Sequence, residues 1–402
     1  MTFFRIPKEK RLSKQAVITL LNHTIFQFGN SLSLIFINLY LWRLTESLMI
    51  NGMFNVTAIM AQCLTTLLIG KLAKRKGHLV MYRYGIFLTA FFYLCVITTR
   101  ESMVDYFVLF AIIRGIAQST YWLSYFTLAH EVSNNQNRHR YLGWNQALMG
   151  VANLIGPAVA GYVISVQEGL AGYTIVFSFA FAMFILATIG SFRMEKEETH
   201  HTQYYMKLLP LIIKRERRFG YSLFGWFLLG FPQGIMMYVP PILLFVIFPD
   251  ESFIGMTNAL FLALSIIASY VISRLANTVH SRKYLFVSAI GMLLSASFLF
   301  WELSIWTVML FMSINSLFKP LQANTYGVYY FTWLDHIPLK KHFRVETVVL
   351  REAIINGGRA LGVVIFMIFA NEINPTTVPL VLFFVLAIQL LVPFLIKNKR
   401  SD

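Results

Sequence analysis

Twelve apolar stretches, each long enough to cross a lipid bilayer, follow one another from residue 16 to residue 396. A spanning helix needs about 20 apolar residues. The stretches lie near 16–41, 48–70, 79–98, 105–130, 141–165, 171–192, 219–248, 252–273, 284–301, 304–334, 346–370 and 376–396. They leave no room for a soluble domain of ordinary size. Backbone groups cannot stay unpaired in hydrocarbon, so each stretch predicts a helix; barrel strands would be shorter and alternating. Only 13% of the 402 residues are charged and 57% are hydrophobic, against about 25% charged in soluble domains. A water-soluble fold this apolar would expose large sticky patches.

Loop charges orient the helices. The net charge of +16 does not predict nucleic-acid binding, because the basic residues sit in short clusters between apolar segments. On the N-terminal side the loops hold Lys71, Lys74, Arg75, Lys76 and Arg83; Arg138 and Arg140; Arg193, Lys196, Lys207, Lys214, Arg215, Arg217 and Arg218; Arg274, Arg282 and Lys283; Lys340, Lys341 and Arg344; and Lys397, Lys399 and Arg400. The opposite loops hold only Arg43 and Arg100 as basic residues, and otherwise Glu46, Glu101, Asp105, Glu168, Asp250, Glu251, Glu302 and Glu372. The positive-inside rule then predicts both termini on the cytoplasmic side of a cell membrane. A basic N-terminus (Arg5, Lys8, Lys10, Arg11, Lys14) precedes a stretch too long for a signal-peptide core, so 16–41 is expected to be an uncleaved first span. Cys63 and Cys95 fall inside spans and argue against a disulfide framework or a zinc site. The longest polar stretch, 193–218, is amphipathic from Tyr204 to Ile213 around Pro210. It is expected to be a linker lying on the anionic inner leaflet, between a bundle at 1–192 and a second at 219–402.

An internal repeat supports two halves. TYWLSYFT at 120–127 matches TYGVYYFT at 325–332 in five of eight positions, at an offset of 205. The same offset pairs Arg114 with Lys319. Residues 69–73 resemble residues 272–276 at an offset of 203, and Gly29 pairs with Gly230. Matches in the same order, near half the chain length, imply six helices plus six in parallel repeats.

Three motifs carry a family resemblance. The loop GKLAKRKGH, from Gly70 to His78, resembles the G-x-L-a-D-R-x-G-R/K loop of the major facilitator superfamily at Gly70, Leu72, Ala73, Arg75 and Gly77. It departs at Lys74, where the family usually has an aspartate whose charge contacts steady the outward-facing form; with lysine there, that latch is not expected in its usual form. Arg114 resembles the buried arginine of the family's fourth span, without the glycine that usually follows. GVANLIGPAVAG, from Gly150 to Gly161, resembles the G-x-x-x-G-P-x-x-x-G signature of family antiporters with an altered first spacing. The resemblance implies a twelve-helix transporter, all α-helical, with two pseudo-symmetric six-helix bundles. Gly70, Arg75, Gly77, Gly150, Gly156, Pro157 and Gly161 are then candidates for the conformational gate. Small residues also let helices pack closely, and packing or hinge use is expected of span five rather than substrate contact.

Charges at membrane depth are costly and point to function. Arg114 lies about 13 Å into its span and Arg359 about 20 Å into span eleven, at 1.5 Å per residue. Lys319, Arg351 and Glu352 are the others. Arg114 and Arg359 are candidates for attracting an anionic group, and Glu352, on the face of Arg359, for carrying a proton. Buried ion pairing between helices is the competing role. Gln27 and Asn30 of span one are candidates to meet substrate; His23 is expected to be a hydrogen-bonded packing residue. Tyr121 and Tyr326 head aromatic clusters that can stack on flat or amphiphilic solutes. Nucleotide-loop, metal-cluster and nucleophile-triad patterns are not found, so neither enzyme activity nor a cofactor is expected. The reading is a monomeric secondary transporter of a small organic, amphiphilic or anionic solute, exporting in exchange for protons, with facilitated uptake left open. A lipid or glycolipid flippase on the same fold and a transport-inactive sensor or scaffold are the alternatives.

Overall fold

A computed structural model describes residues 11–133, 136–195, 203–275, 280–334, 344–370 and 372–396. Arg5, Lys8, Lys10, Lys196, Lys340, Lys341, Lys397, Lys399 and Arg400 of the expected basic face lie outside the described residues. Twelve long helices dominate the described residues: α1 (Lys14–Thr45), α2 (Leu48–Lys76), α3 (His78–Thr99), α4 (Phe107–Glu131), α5 (Arg138–Ser165), α6 (Ala171–Ser191), α7 (Arg217–Ile247), α8 (Glu251–Leu275), α9 (Ser281–Ser297), α10 (Ile305–Leu334), α11 (Arg344–Phe369) and α12 (Thr377–Leu395). Among the described residues, eleven are long and apolar enough to cross a membrane. The twelfth is α10, 30 residues long. Asn315, Ser316, Lys319, Gln322 and Asn324 dilute its apolar character. It packs on α8 and α9 as α4 packs on α2 and α3, and so fills a spanning position.

Local sequence explains where helices start, turn and break. Ser13 caps α1 by accepting the Ala16 amide at 3.1 Å, and Ser47 caps α2 through the Ile50 amide at 3.3 Å. Gly77 separates α2 from α3 at φ +94°, a backbone conformation that side chains disfavour, which accounts for glycine in that loop. The first helix of each half is broken. In α1 the break is at Leu34–Ile35, where Ser31 and Ser33 have turned their hydroxyls back onto the carbonyls of Phe28 and Gly29. In α7 it is at Met237–Tyr238, just before Pro240 and Pro241, which lack amide donors. The two breaks are 203 residues apart, matching the sequence repeat.

The helices form two bundles related by the same offset. In the first, α1 packs on α5 and α6, α2 on α4, and α3 on α4 and α6. In the second, α7 packs on α11 and α12, α8 on α10, and α9 on α10 and α12. Two seams join the bundles, α2 against α11 and α5 against α8. Adding six to each helix number interchanges these seams, as a two-fold axis between the halves requires. Leu64, Leu68, Phe179, Ile189, Leu294 and Phe384 point outward and are exposed, the surface that lipid tails cover.

Candidate functional site

Glycines set how closely the seams approach. A Cβ on Gly161 would meet the carbonyl oxygen of Glu251, and one on Gly255 would meet that of Pro157, so α5 and α8 touch backbone to backbone at the end bearing the acidic loops. Gly150 would reach only the Ile266 side-chain tip at 3.5 Å, and around Gly143 nothing lies within 4 Å. The α5–α8 seam therefore loosens toward the basic face. The α2–α11 seam is tight at both ends, with Gly52 against Met367 and Gly70 against Val349. Gly156 serves a different contact, letting Ser31 of α1 approach α5. In the second half Gly358 and Gly362 do the same for α7, a role the sequence reading missed although the Gly-Gly pair at 357–358 signals it.

An ion pair crosses between the halves at each face. On the basic face Lys74 Nζ of α2 lies 2.6 Å from Glu346 Oε1 of α11, with side chains 5% and 0% exposed. Lys74 also donates to the Gln203 carbonyl at 2.8 Å, and the Tyr205 amide donates to Glu346 Oε1 at 2.7 Å. Lys74, where the latch is not expected in its usual form, thus pairs with an acid on the partner helix. Burial, and then the Glu346 charge, push the neighbouring Tyr204 hydroxyl's pKa up, so it stays neutral. On the opposite face Arg43 donates to Glu251 Oε1 through Nη2 at 2.7 Å and Nε at 2.9 Å, and Tyr173 donates to the same oxygen at 2.9 Å. The Arg43 guanidinium lies 5.1 Å from the Phe245 ring centre. Each pair sets a cation in the last turn of one helix against a carboxylate in the first turn of another. Helix dipoles favour all four placements, by about 0.3–1 kcal/mol each. The sequence marked Arg43 and Glu251 only as loop charges; that Arg43 was one of two cations on an acidic face was the available signal.

Between these pairs lie the charged candidates. Arg114 is 7% exposed in α4, with its guanidinium 5.4 Å from the Phe54 ring centre and its Nη1 without a hydrogen-bond partner. Arg359 of α11 donates to Gln233 of α7 at 2.8 and 3.2 Å and to Asn356 at 2.9 Å. Asn356 is 0% exposed, and its Nδ2 has no partner. Lys319 lies within electrostatic reach of Arg359, has an accessible side chain, and has no hydrogen-bond or ion-pair partner among the described residues. Glu352 accepts from Arg351 at 2.7 Å. Arg351 is held between two aromatic rings, Phe126 of α4 at 5.9 Å and Trp226 of α7 at 5.8 Å, and so also spans the halves.

The remaining candidates separate into wall and interior. Gln27 donates to Asn153 at 2.8 Å, tying α1 to α5, while its Oε1 is buried without a partner. Asn30 is buried. Tyr121 is fully buried inside the first bundle, stacked on Phe26 and 2.6 Å from His23 Nδ1. Tyr326 is its repeat mate, buried over Gly225 and donating to the Ser222 carbonyl at 2.7 Å. Both tyrosine hydroxyls bind the first helix of their own half. Among the described residues there is no cluster of three or more potential metal ligands. Arg75 and Lys71 lie outside the central region, on a cleft at the basic face.

The chain matches the family model described as Major Facilitator Superfamily over residues 19–338. It is 26% identical over 351 residues to YqgE, an uncharacterized protein of Bacillus subtilis (strain 168), covering 86% of this chain and 80% of that one. A bacterial homologue of the iron transporter ferroportin, in an inward-facing state, superposes with a TM-score of 0.71 at 14% identity, covering 95% of this chain and 97% of that one. The nucleoside transporter NupG superposes at 0.69 and 12% identity, covering 95% and 98%. At such identities the structural matches speak for the fold alone.

Proposed function

This chain belongs to the Major Facilitator Superfamily, and from that premise we propose that it carries a small organic anion across the membrane by alternating access. The basic face is the cytoplasmic one, by the positive-inside rule. The two bundles rock about the seams, and the ion pairs at the two faces open in turn. The observation that carries the anion reading is Lys319. It is a membrane-depth cation, accessible and without a hydrogen-bond or ion-pair partner among the described residues, within electrostatic reach of Arg359, whose hydrogen bonds go to neutral amides. The membrane-depth acid of α11, Glu352, is already engaged by Arg351. Two cations within electrostatic reach of each other at membrane depth are costly until an anion arrives. Gln233 and Asn356 fix the guanidinium plane for such a group.

Exchange for protons through Glu352 requires Arg351 to swing away, because Arg351 occupies the carboxylate oxygen that would take the proton. The experiment is a thermal-shift screen of the purified protein against monocarboxylates, dicarboxylates, phosphate monoesters and sulfonates, followed by flux of the best ligand into proteoliposomes. A ligand of the folded state raises the melting temperature. The reading expects stabilisation by an anion in the native protein and none in Lys319→Gln. Equal stabilisation of both proteins, or stabilisation only by neutral or cationic solutes, overturns it.

A further inference from the structure

At the basic end of α2 lies an open cleft of about 850 Å³. One wall is Lys71 and Arg75; the other is residues 203–207 of the linker between the halves, including Tyr204 and Lys207. Neither Lys71, Arg75 nor Lys207 has an acidic partner among the described residues, and all three side chains are exposed. Their position is informative. Leu64 and Leu68, 58% and 68% exposed, form the lipid-facing stripe of α2. Lys71 and Arg75 continue that stripe at spacings of three and four, so they lie on the same helix face one and two turns further along. That is the level of lipid headgroups. Across the cleft, the linker helix Leu209–Arg215 exposes Leu211 and ends in Lys214 and Arg215, the pattern of a segment lying on an anionic surface.

We propose that this cleft binds the phosphate of an anionic lipid headgroup and that the bound lipid holds the basic-face ion pair shut. The same short piece of linker makes both contacts. Its residues 203–207 wall the cleft, while the Gln203 carbonyl accepts from Lys74 and the Tyr205 amide donates to Glu346. A phosphate between Lys71, Arg75 and Lys207 bridges the linker to α2, and so fixes the linker segment that completes the Lys74–Glu346 pair. Charge-assisted hydrogen bonds to phosphate suit these side chains. The inference rests on the proposed role of that ion pair as a gate, and the headgroup site itself is tested independently of transport and of orientation.

The test is hydrogen exchange of residues 203–207 in nanodiscs of phosphatidylcholine alone or with one third phosphatidylglycerol. Phosphatidylglycerol is expected to slow exchange of the Tyr205 amide about tenfold, roughly what 1–2 basic contacts at a membrane surface supply. The effect is expected to vanish in Lys71→Gln/Arg75→Gln/Lys207→Gln, whose melting temperature in phosphatidylcholine serves as the folding control; Lys207→Gln alone, on the exposed linker, should lose part of it. Inorganic phosphate or glycerol phosphate, added to phosphatidylcholine discs, gives no protection if the ligand is a lipid. Equal protection by the soluble anion overturns the lipid assignment. Unchanged exchange with phosphatidylglycerol overturns the site. Cys63 of α2 donates its thiol to the Ala353 carbonyl of α11 in the seam, so its labelling by a water-soluble maleimide reads the gate; lipid-dependent protection with an undisturbed Cys63 labelling rate overturns the link to the gate alone.

Discussion

Removing the charge of Glu346 should release the basic face. Lys74 Nζ and Glu346 Oε1 are 2.6 Å apart and almost fully buried. Coulomb's law at an effective dielectric of 20 gives roughly 6 kcal/mol of gross attraction at that separation. Desolvation offsets much of it, yet removing one partner strands the other charge, which costs about 3–5 kcal/mol. Because the partners sit on different halves, that cost falls only on the closed form. Taking ~3 kcal/mol, Glu346→Gln raises the open population about 100-fold. A native reporter is available. Cys63 of α2 is half-buried in the seam and its thiol donates to the Ala353 carbonyl of α11 at 3.3 Å. In a Cys95→Ser background, labelling of Cys63 by a water-soluble maleimide should accelerate by up to that factor. The charge swap Lys74→Glu/Glu346→Lys should recover only part of the closure, since both charges then oppose the helix dipoles. Less than a twofold change in labelling for Glu346→Gln, or a swap no better than the single variants, refutes the reasoning.

Further outcomes follow from the same geometry. Arg43→Ala leaves Glu251 with only the Tyr173 hydroxyl among the described residues and should open the opposite face, slowing Cys63 labelling while raising accessibility of a cysteine placed at the buried Phe245, which packs on Arg43. Gly161→Val places branched atoms against the Glu251 backbone and should cost about 1–3 kcal/mol of stability by thermal melting, whereas Gly143→Ala, inside α5 with open space for its Cβ, should hold or raise the melting temperature. Tyr326→Phe removes the donor to the Ser222 carbonyl and should destabilise by about 1 kcal/mol, without changing affinity for any transported anion.

The architecture was legible because lipid imposes one rule on every span. Apolar length, loop charge and a repeat offset of about 203–205 residues are local or periodic properties, and all survive into the helices, the seams and the matched breaks of α1 and α7. Even so, the reasons for those breaks, serine back-bonding in one and paired prolines in the other, differ enough to hide the correspondence. The ion pairs were not legible. Arg43 and Glu251 are 208 residues apart and Lys74 and Glu346 are 272 apart, and nothing short of the fold says which cation meets which acid. Lys74 shows the limit most clearly: a motif defined by an aspartate gives no hint that a reversed charge finds a partner on another helix. Tyr121 and Tyr326 share one reason for being conspicuous, since the repeat that exposed them in the sequence also gives them the same packing role. Lys319 and Arg114 share a repeat position, yet one is accessible and the other is buried beneath Phe54.

The central claim is that the two faces open alternately, and distances between spin labels on both faces test it most directly. One pair, Gln146→Cys with Ser273→Cys, spans α5 and α8 at the basic face; the other, Gln167→Cys with Phe248→Cys, spans the halves at the opposite face. Both are made without Cys63 and Cys95. The account predicts two distances at each face that change in opposite senses, with Glu346→Gln lengthening the basic-face distance and Arg43→Ala the other. A single unchanging distance at both faces, in the native protein and in both variants, contradicts it.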